Sequence, residues 1–243
     1  LGSLYWLRYV DPREELQTVR DVLAYSLPFG IFGPAEVYDF NHLQQQRSDF
    51  SYFQQTSQRD AEGNIPRVPP PQNILQLHVG TASAERTFEG LTRIYQTISH
   101  KLAQGEPLTP SEENYIGYDA VQLLPIEPTI EYRDDYSPIS EFFDFDDNES
   151  EPPDSNSLPL TDEVNIHLKK PSTQDWGYDV PILGSSATNP AILGSLRPDE
   201  VIDFVATLHN FATGPIQIIY DLVYGHADNQ AELLINRQFL KGP

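Results

Sequence analysis

The chain of 243 residues has no cysteine, no methionine and only four lysines, Lys101, Lys169, Lys170 and Lys241. The missing cysteines exclude disulfides, thiolate metal sites and a cysteine nucleophile together. The chain opens on Leu1, Gly2 and Ser3 rather than methionine, a start expected of proteolysis, transit-peptide removal or excision, and it shows no charged-then-apolar signal pattern. Long apolar runs are also lacking. The best candidates are broken early by Asp, Gln or Pro, well short of the roughly 18 residues that a membrane helix needs, so no membrane span is expected.

Positive charge is scarce as well. Against 36 acidic residues stand 15 basic ones, a formal charge of -21 that repels phosphate backbones, and nucleic-acid binding through a basic face is excluded on that ground.

What is present is a hydrophobic fraction of 39 %, enough for a core, arranged in several helix-like segments. Asp11, Pro12 and Glu14 read as a cap, a first-turn proline and a first-turn acid. Leu16, Val19, Val22 and Leu23 then share a helical face that ends at Pro28. Thr109, Pro110 and Glu112 repeat the device before Tyr115, Ile116, Ala120, Val121 and Leu124, which predicts a second helix closed by Pro125. The most regular helix is expected over 83–105, where Phe88, Leu91, Tyr95, Ile98 and Leu102 recur at spacings of three and four. Further helices are expected over 198–214 and 228–240.

Strands are fewer. Residues 74–79, after a triple proline, read as one, with 4–10 and 165–168 as weaker candidates. Residues 215–224 suit a buried strand or a helix equally, because a continuous apolar run carries no period.

Two stretches resist regular assignment. Residues 37–73, rich in Gln, Ser and aromatics and ending in a proline run, read as an extended arm. Residues 131–163 hold twelve acids and one arginine, over half of the chain's net charge, and read as a linker or insertion. Within that insertion Tyr136, Phe142, Phe143, Asp144, Phe145, Asp146 and Asp147 interleave rings with carboxylates. This suits docking onto a partner that is basic around an apolar groove, and these seven are the expected partner-binding residues.

No chemical motif survives inspection. Asp144, Asp146 and Asn148 match the first spacings of a calcium loop, but Glu149 stands at the glycine position and Ser155 at the terminal glutamate. The six histidines show no metal-site spacing, and each reads as structural. Ser185 and Ser186 lack the glycine pattern of a hydrolase elbow, and Gly30 and Gly33 lack the lysine of a phosphate cradle. No pair of acids is singled out for glycosidase-type chemistry. No cofactor, metal or catalytic residue is assigned.

The sequence thus predicts a mainly α chain with a few short strands (α+β), irregular extended arms and a long acidic insertion. It divides into an N-terminal helical domain (1–130) with the arm at 37–73, the acidic segment (131–163) and a C-terminal helical domain (164–243). The function expected is that of a non-enzymatic structural subunit bound to other protein subunits, foremost a virion capsid or capsid-associated protein. The alternatives are an accessory subunit of an organellar complex and a hydrolase using Asp/Glu and His groups.

Overall fold

The computed structural model describes residues 2–19, 21–31, 33–65, 67–129, 143–145, 166–168 and 177–227. Its first correction to the sequence reading is at Asp11, which opens a hairpin and not a helix. After β1 (Leu4–Tyr5), β2 (Leu7–Val10) pairs antiparallel with β3 (Leu16–Val19), Val10 facing Leu16. The Asp11 carboxylate accepts the backbone N–H groups of Arg13 and Glu15, each at 2.9 Å, and Glu14 takes a left-handed φ of 63°. Aspartate satisfies turn amides as readily as helix amides, so the cap alone does not select a helix. The face that a helix would have buried stays outside: Leu16 and Leu23 are 58 % and 74 % exposed.

Residues 24–35 return toward the core, burying Ala24, Leu27, Ile31 and Ala35 against Ile182 and Ala187. There β4 (Ala35–Glu36) pairs antiparallel with β1. The buried Glu36 accepts from Ser26 Oγ and the Gly2 N–H, both at 2.8 Å, and lies 3.4 Å from Arg197.

The expected arm is also corrected in its first half, which holds α1 (Phe40–Gln46) and α2 (Phe50–Thr56). Asp39 caps α1 by accepting from the N–H groups of Asn41 and His42. Between the helices the side chain of Asp49 has no exposed surface. It accepts two bonds from Arg47, at 2.9 and 2.8 Å, and one at 2.6 Å from His209 Nδ1, which therefore carries the proton. Tyr52 stacks on the His209 ring at 3.7 Å, Phe53 meets it edge-on, and Arg47 lies over Phe53. This ionic and aromatic cluster fastens the segment to the core, which composition alone does not reveal.

The chain then enters β5 (Ile74–Leu77), the short α3 (Val79–Ala82) and α4 (Phe88–Gln104). As the spacing predicts, Phe88, Leu91, Tyr95 and Ile98 of α4 are fully buried. Thr87 caps the helix through the Gly90 N–H, and Gly105 closes it in the left-handed region at φ 69°. The helix expected after Thr109 shrinks to one 3-10 turn, Glu112–Tyr115. Its capping box forms in full, with Glu112 N–H on Thr109 Oγ1 and Thr109 N–H on Glu112 Oε2, and Lys101 also bonds Glu112. Gly117, at φ 84°, ends the turn, and Ala120–Leu123 forms β6. Because β6 is central and buried on both faces, its apolar run has no period of two to set it apart from a helix.

A separate pair follows, β7 (Phe143–Phe145) antiparallel to β8 (Ile166–Leu168), the latter matching the expected strand. Then α5 (Asp199–His209) leads into β9 (Gln217–Tyr220), which settles the open reading of 215–224 as a strand. The sheet order is β5-β6-β9, all parallel, with Ile74, Ala120 and Gln217 in register. One core therefore takes strands from both sides of 131–163, and in it Phe204 of α5 meets the rings of Phe88 and Tyr95 of α4, each at 5.7 Å. The helix expected over 228–240 lies outside the described residues. No helix among the described residues is long and apolar enough to cross a membrane.

Candidate functional site

In a parallel α/β sheet the loops after the strands gather at one end, and chemistry concentrates there because the sheet holds the loops while leaving them free to vary. Here Asp221 follows directly on β9, Glu127 lies shortly beyond β6, and His78 follows β5.

Asp221 is the centre of the cluster. Its Oδ2 accepts the hydroxyl of Tyr178 at 3.0 Å, and the Tyr178 carbonyl lies 3.1 Å from His226 Nε2, which donates because a carbonyl can only accept. The Tyr178 hydroxyl is pushed above its ordinary pKa, by burial first and then by the hydrogen bond and the negative charge of Asp221. Tyr178 and His226 are exposed and Asp221 is half-buried between them and the sheet, with the exposed Tyr224 on the same loop as Asp221.

The loops that carry them are tied together from below. Gly177 sits at φ 93°, where an added Cβ would come within 2.3 Å of the Pro125 carbonyl oxygen. Asn189 N–H donates to the Ile126 carbonyl at 2.8 Å and its side chain reaches Thr129. Ser186 Oγ donates to the carbonyls of Leu23 and Ala24, both at 3.0 Å, which fixes the N-terminal segment to the same loop. Beneath the surface, Glu127 is 1 % exposed and accepts the backbone N–H groups of Ser185 and Val223, each at 3.1 Å. Gly177→Ala is accordingly expected to shift Tyr178 and to lower stability by about 1–3 kcal/mol, from left-handed strain plus the clash with Pro125. Thermal unfolding and the tyrosine signals of a proton NMR spectrum check both effects.

Other acidic groups are committed elsewhere. Glu200, 7 % exposed, accepts from the N–H groups of Glu89 and Gly194, at 3.1 and 2.9 Å, and from Ser195 Oγ. Near it, a groove of about 420 Å³ between α4 and α5 is lined by Glu89, Arg93, Gln96, Asp203 and Thr207. Asp203 is shifted upward there by burial, then by the charges of Asp199 and Glu200. None of its lining residues belongs to the cluster around Asp221. His209 and Asp49 form a carboxylate–imidazole pair, yet both are buried, and they stand where α5 leads toward the start of β9, opposite to Asp221. No group of three or more His, Asp or Glu among the described residues could hold a metal ion.

Of the expected partner-binding residues, Tyr136, Phe142, Asp146 and Asp147 lie outside the described residues. Phe143, Asp144 and Phe145 form β7, with Asp144 opposite His167 of β8. Tyr178, Asp221 and Glu127 were not singled out by sequence. The one available signal was a carboxylate directly after an apolar run, readable only once that run is assigned to a strand.

A model of the family described as hypothetical glycoside hydrolase 5 matches residues 1–243. The chain belongs to this family. Membership overturns the expected non-enzymatic role and, with it, the virion and capsid reading, and it favours the hydrolase alternative. The composition that suggested an assembly subunit describes segments and carries no information about the strand-end cluster. No match was found among curated proteins. Among solved structures, a "Putative alpha Amylase from Salmonella typhimurium" is similar at a TM-score of 0.48 and 15 % identity over 99 % of this chain, and the chain spans 28 % of that protein's length.

Proposed function

We propose that the strand-end cluster forms part of the substrate site of a glycoside hydrolase and that its task is to hold a sugar. Hydrolysis of a glycosidic bond uses one carboxyl as acid and a second as nucleophile or base, with further groups fixing the ring through its hydroxyls. Asp221 offers a half-buried carboxylate that already accepts one hydroxyl hydrogen, that of Tyr178. His226 and the Tyr178 hydroxyl offer polar atoms beside it, and the phenol rings offer faces on which a sugar ring can lie. Glu127 is not available for this, since both of its oxygens already accept backbone amides.

The observation that carries the reading is the Tyr178–Asp221 bond at the carboxyl end of β9, in a chain of this family. Its test is calorimetric titration of the chain with linear α-linked and β-linked gluco-oligosaccharides, alongside an assay for new reducing ends. At least one series should bind, and Tyr178→Ala should weaken that binding by about tenfold, the loss of one stacked ring and one hydrogen bond. If neither series binds or is cleaved, or if Tyr178→Ala binds as well as the parent, the sugar site is not here.

A further inference from the structure

Glu127 is buried at the bottom of the cluster, and its two oxygens serve two different loops. Oε1 accepts the Ser185 N–H, in the segment that carries Gly177 and Tyr178. Oε2 accepts the Val223 N–H, in the loop that carries Asp221 and His226. No other described side chain bonds to both loops at once through its own two acceptor atoms. The same loops meet a second time, where an added Cβ on Gly184 would stand 2.7 Å from Tyr224 Oη. At φ 64°, Gly184 also has a conformation that favours glycine.

We infer that Glu127 is a positioning residue for the proposed sugar site, a clamp that sets the distance between the Tyr178 loop and the Asp221 loop. The inference rests on the glycoside hydrolase reading of that site. The chemistry explains why glutamate suits the position. A carboxylate presents acceptors at both ends and no donor, so it can satisfy two amide N–H groups from opposite loops. Glutamine has the same shape but places an NH₂ against one of the two N–H groups, so one loop must come away. Aspartate keeps both acceptors but is one methylene shorter and reaches only one loop.

The test compares the full chain with Glu127→Gln by amide hydrogen exchange at Ser185 and Val223, and by titration with the gluco-oligosaccharide that the parent binds. At least one of the two amides should exchange about tenfold faster, and affinity should fall by about tenfold, the usual consequence of losing a hydrogen bond to a charged group. Re-siting of the loops should also separate the Tyr178 hydroxyl from Asp221 and move the Tyr178 ring resonances. Unchanged protection at both amides overturns the clamp, and so does unchanged affinity together with unmoved Tyr178 resonances. A lowered melting temperature alone, with amides and affinity as in the parent, also overturns it, because a merely structural carboxylate would do that. If Glu127→Gln does not fold, Glu127→Asp takes its place with the same readouts, and parent-like behaviour of that variant overturns the clamp. Should the parent bind no oligosaccharide, the sugar reading fails, while faster exchange at Ser185 or Val223 and shifted Tyr178 signals still report the clamp.

Discussion

Asp221→Asn should retain the fold and lose hydrolysis by roughly a hundredfold or more. The amide is nearly isosteric, and its remaining oxygen can still accept the Tyr178 hydroxyl, so little packing changes. What disappears is negative charge and one acceptor at the place where sugar hydroxyls are held. Losing one preorganised polar contact to a reacting substrate typically costs kcat about 10²–10³-fold. The split between constants then tells what Asp221 does. A fall in kcat and kcat/KM together marks a contact made in the transition state, whereas a rise in KM alone marks uniform binding. Steady-state rates on the oligosaccharide identified by titration, with thermal unfolding as a control, measure both. Full activity in this variant would move the site away from β9.

The largest stability effect is expected at the far end of α5. Asp49→Ala leaves the Arg47 guanidinium and the buried His209 ring without their shared acceptor, and removing one partner of a buried ionic cluster costs about 3–5 kcal/mol. Urea unfolding should show this as a lower midpoint. The cluster also predicts how stability depends on pH. Burial opposes ionisation of Asp49, but the bonds from Arg47 and His209 and the attraction of Arg47 outweigh it and hold its carboxyl below the ordinary range. His209 is depressed below 6.5, by burial first and by the Arg47 charge, against the opposing pull of Asp49. Both folded values lie under their unfolded ones, so both contributions are complete at neutral pH and fade on acidification. His209 acts first, below about 6.5, and Asp49 only below the usual carboxylate range. His78, depressed by burial, adds the same sign in the first window. Replacing His209 by Gln should flatten the fall in urea midpoint just below pH 6.5. A profile as steep as that of the parent would show that His209 is not its main source.

How much was legible depended on how each element is buried. Helix α4 buries one face, so Phe88, Leu91, Tyr95 and Ile98 advertise the period in sequence. Helix α5 is buried over most of its circumference, with only Asp203 exposed, yet Val201, Phe204, Val205 and Leu208 still recur at helical spacing. Central β6 advertises nothing, because Ala120, Val121 and Leu123 are buried irrespective of face. Capping chemistry misled at Asp11 and Thr109, since both satisfied local amides as expected while the chain beyond went elsewhere. The arm was misjudged because the acceptor that pins it, Asp49, bonds a histidine 160 positions away. Tyr178, Asp221 and His226 meet only through the fold, and the partner of each is invisible in a linear reading. The same holds for Glu127, which looks like one acid among 36.

Among the described residues, the β5-β6-β9 sheet has two unfinished borders. Each outer strand joins β6 along one side and no other strand among the described residues along the other. Backbone groups left in such rows invite whatever extended polypeptide comes near, whether more of the same protein or a neighbouring molecule. Concentrated preparations of this chain by itself should thus thicken into oligomers through zipped strands, and dilution or a capping peptide strand should reverse it.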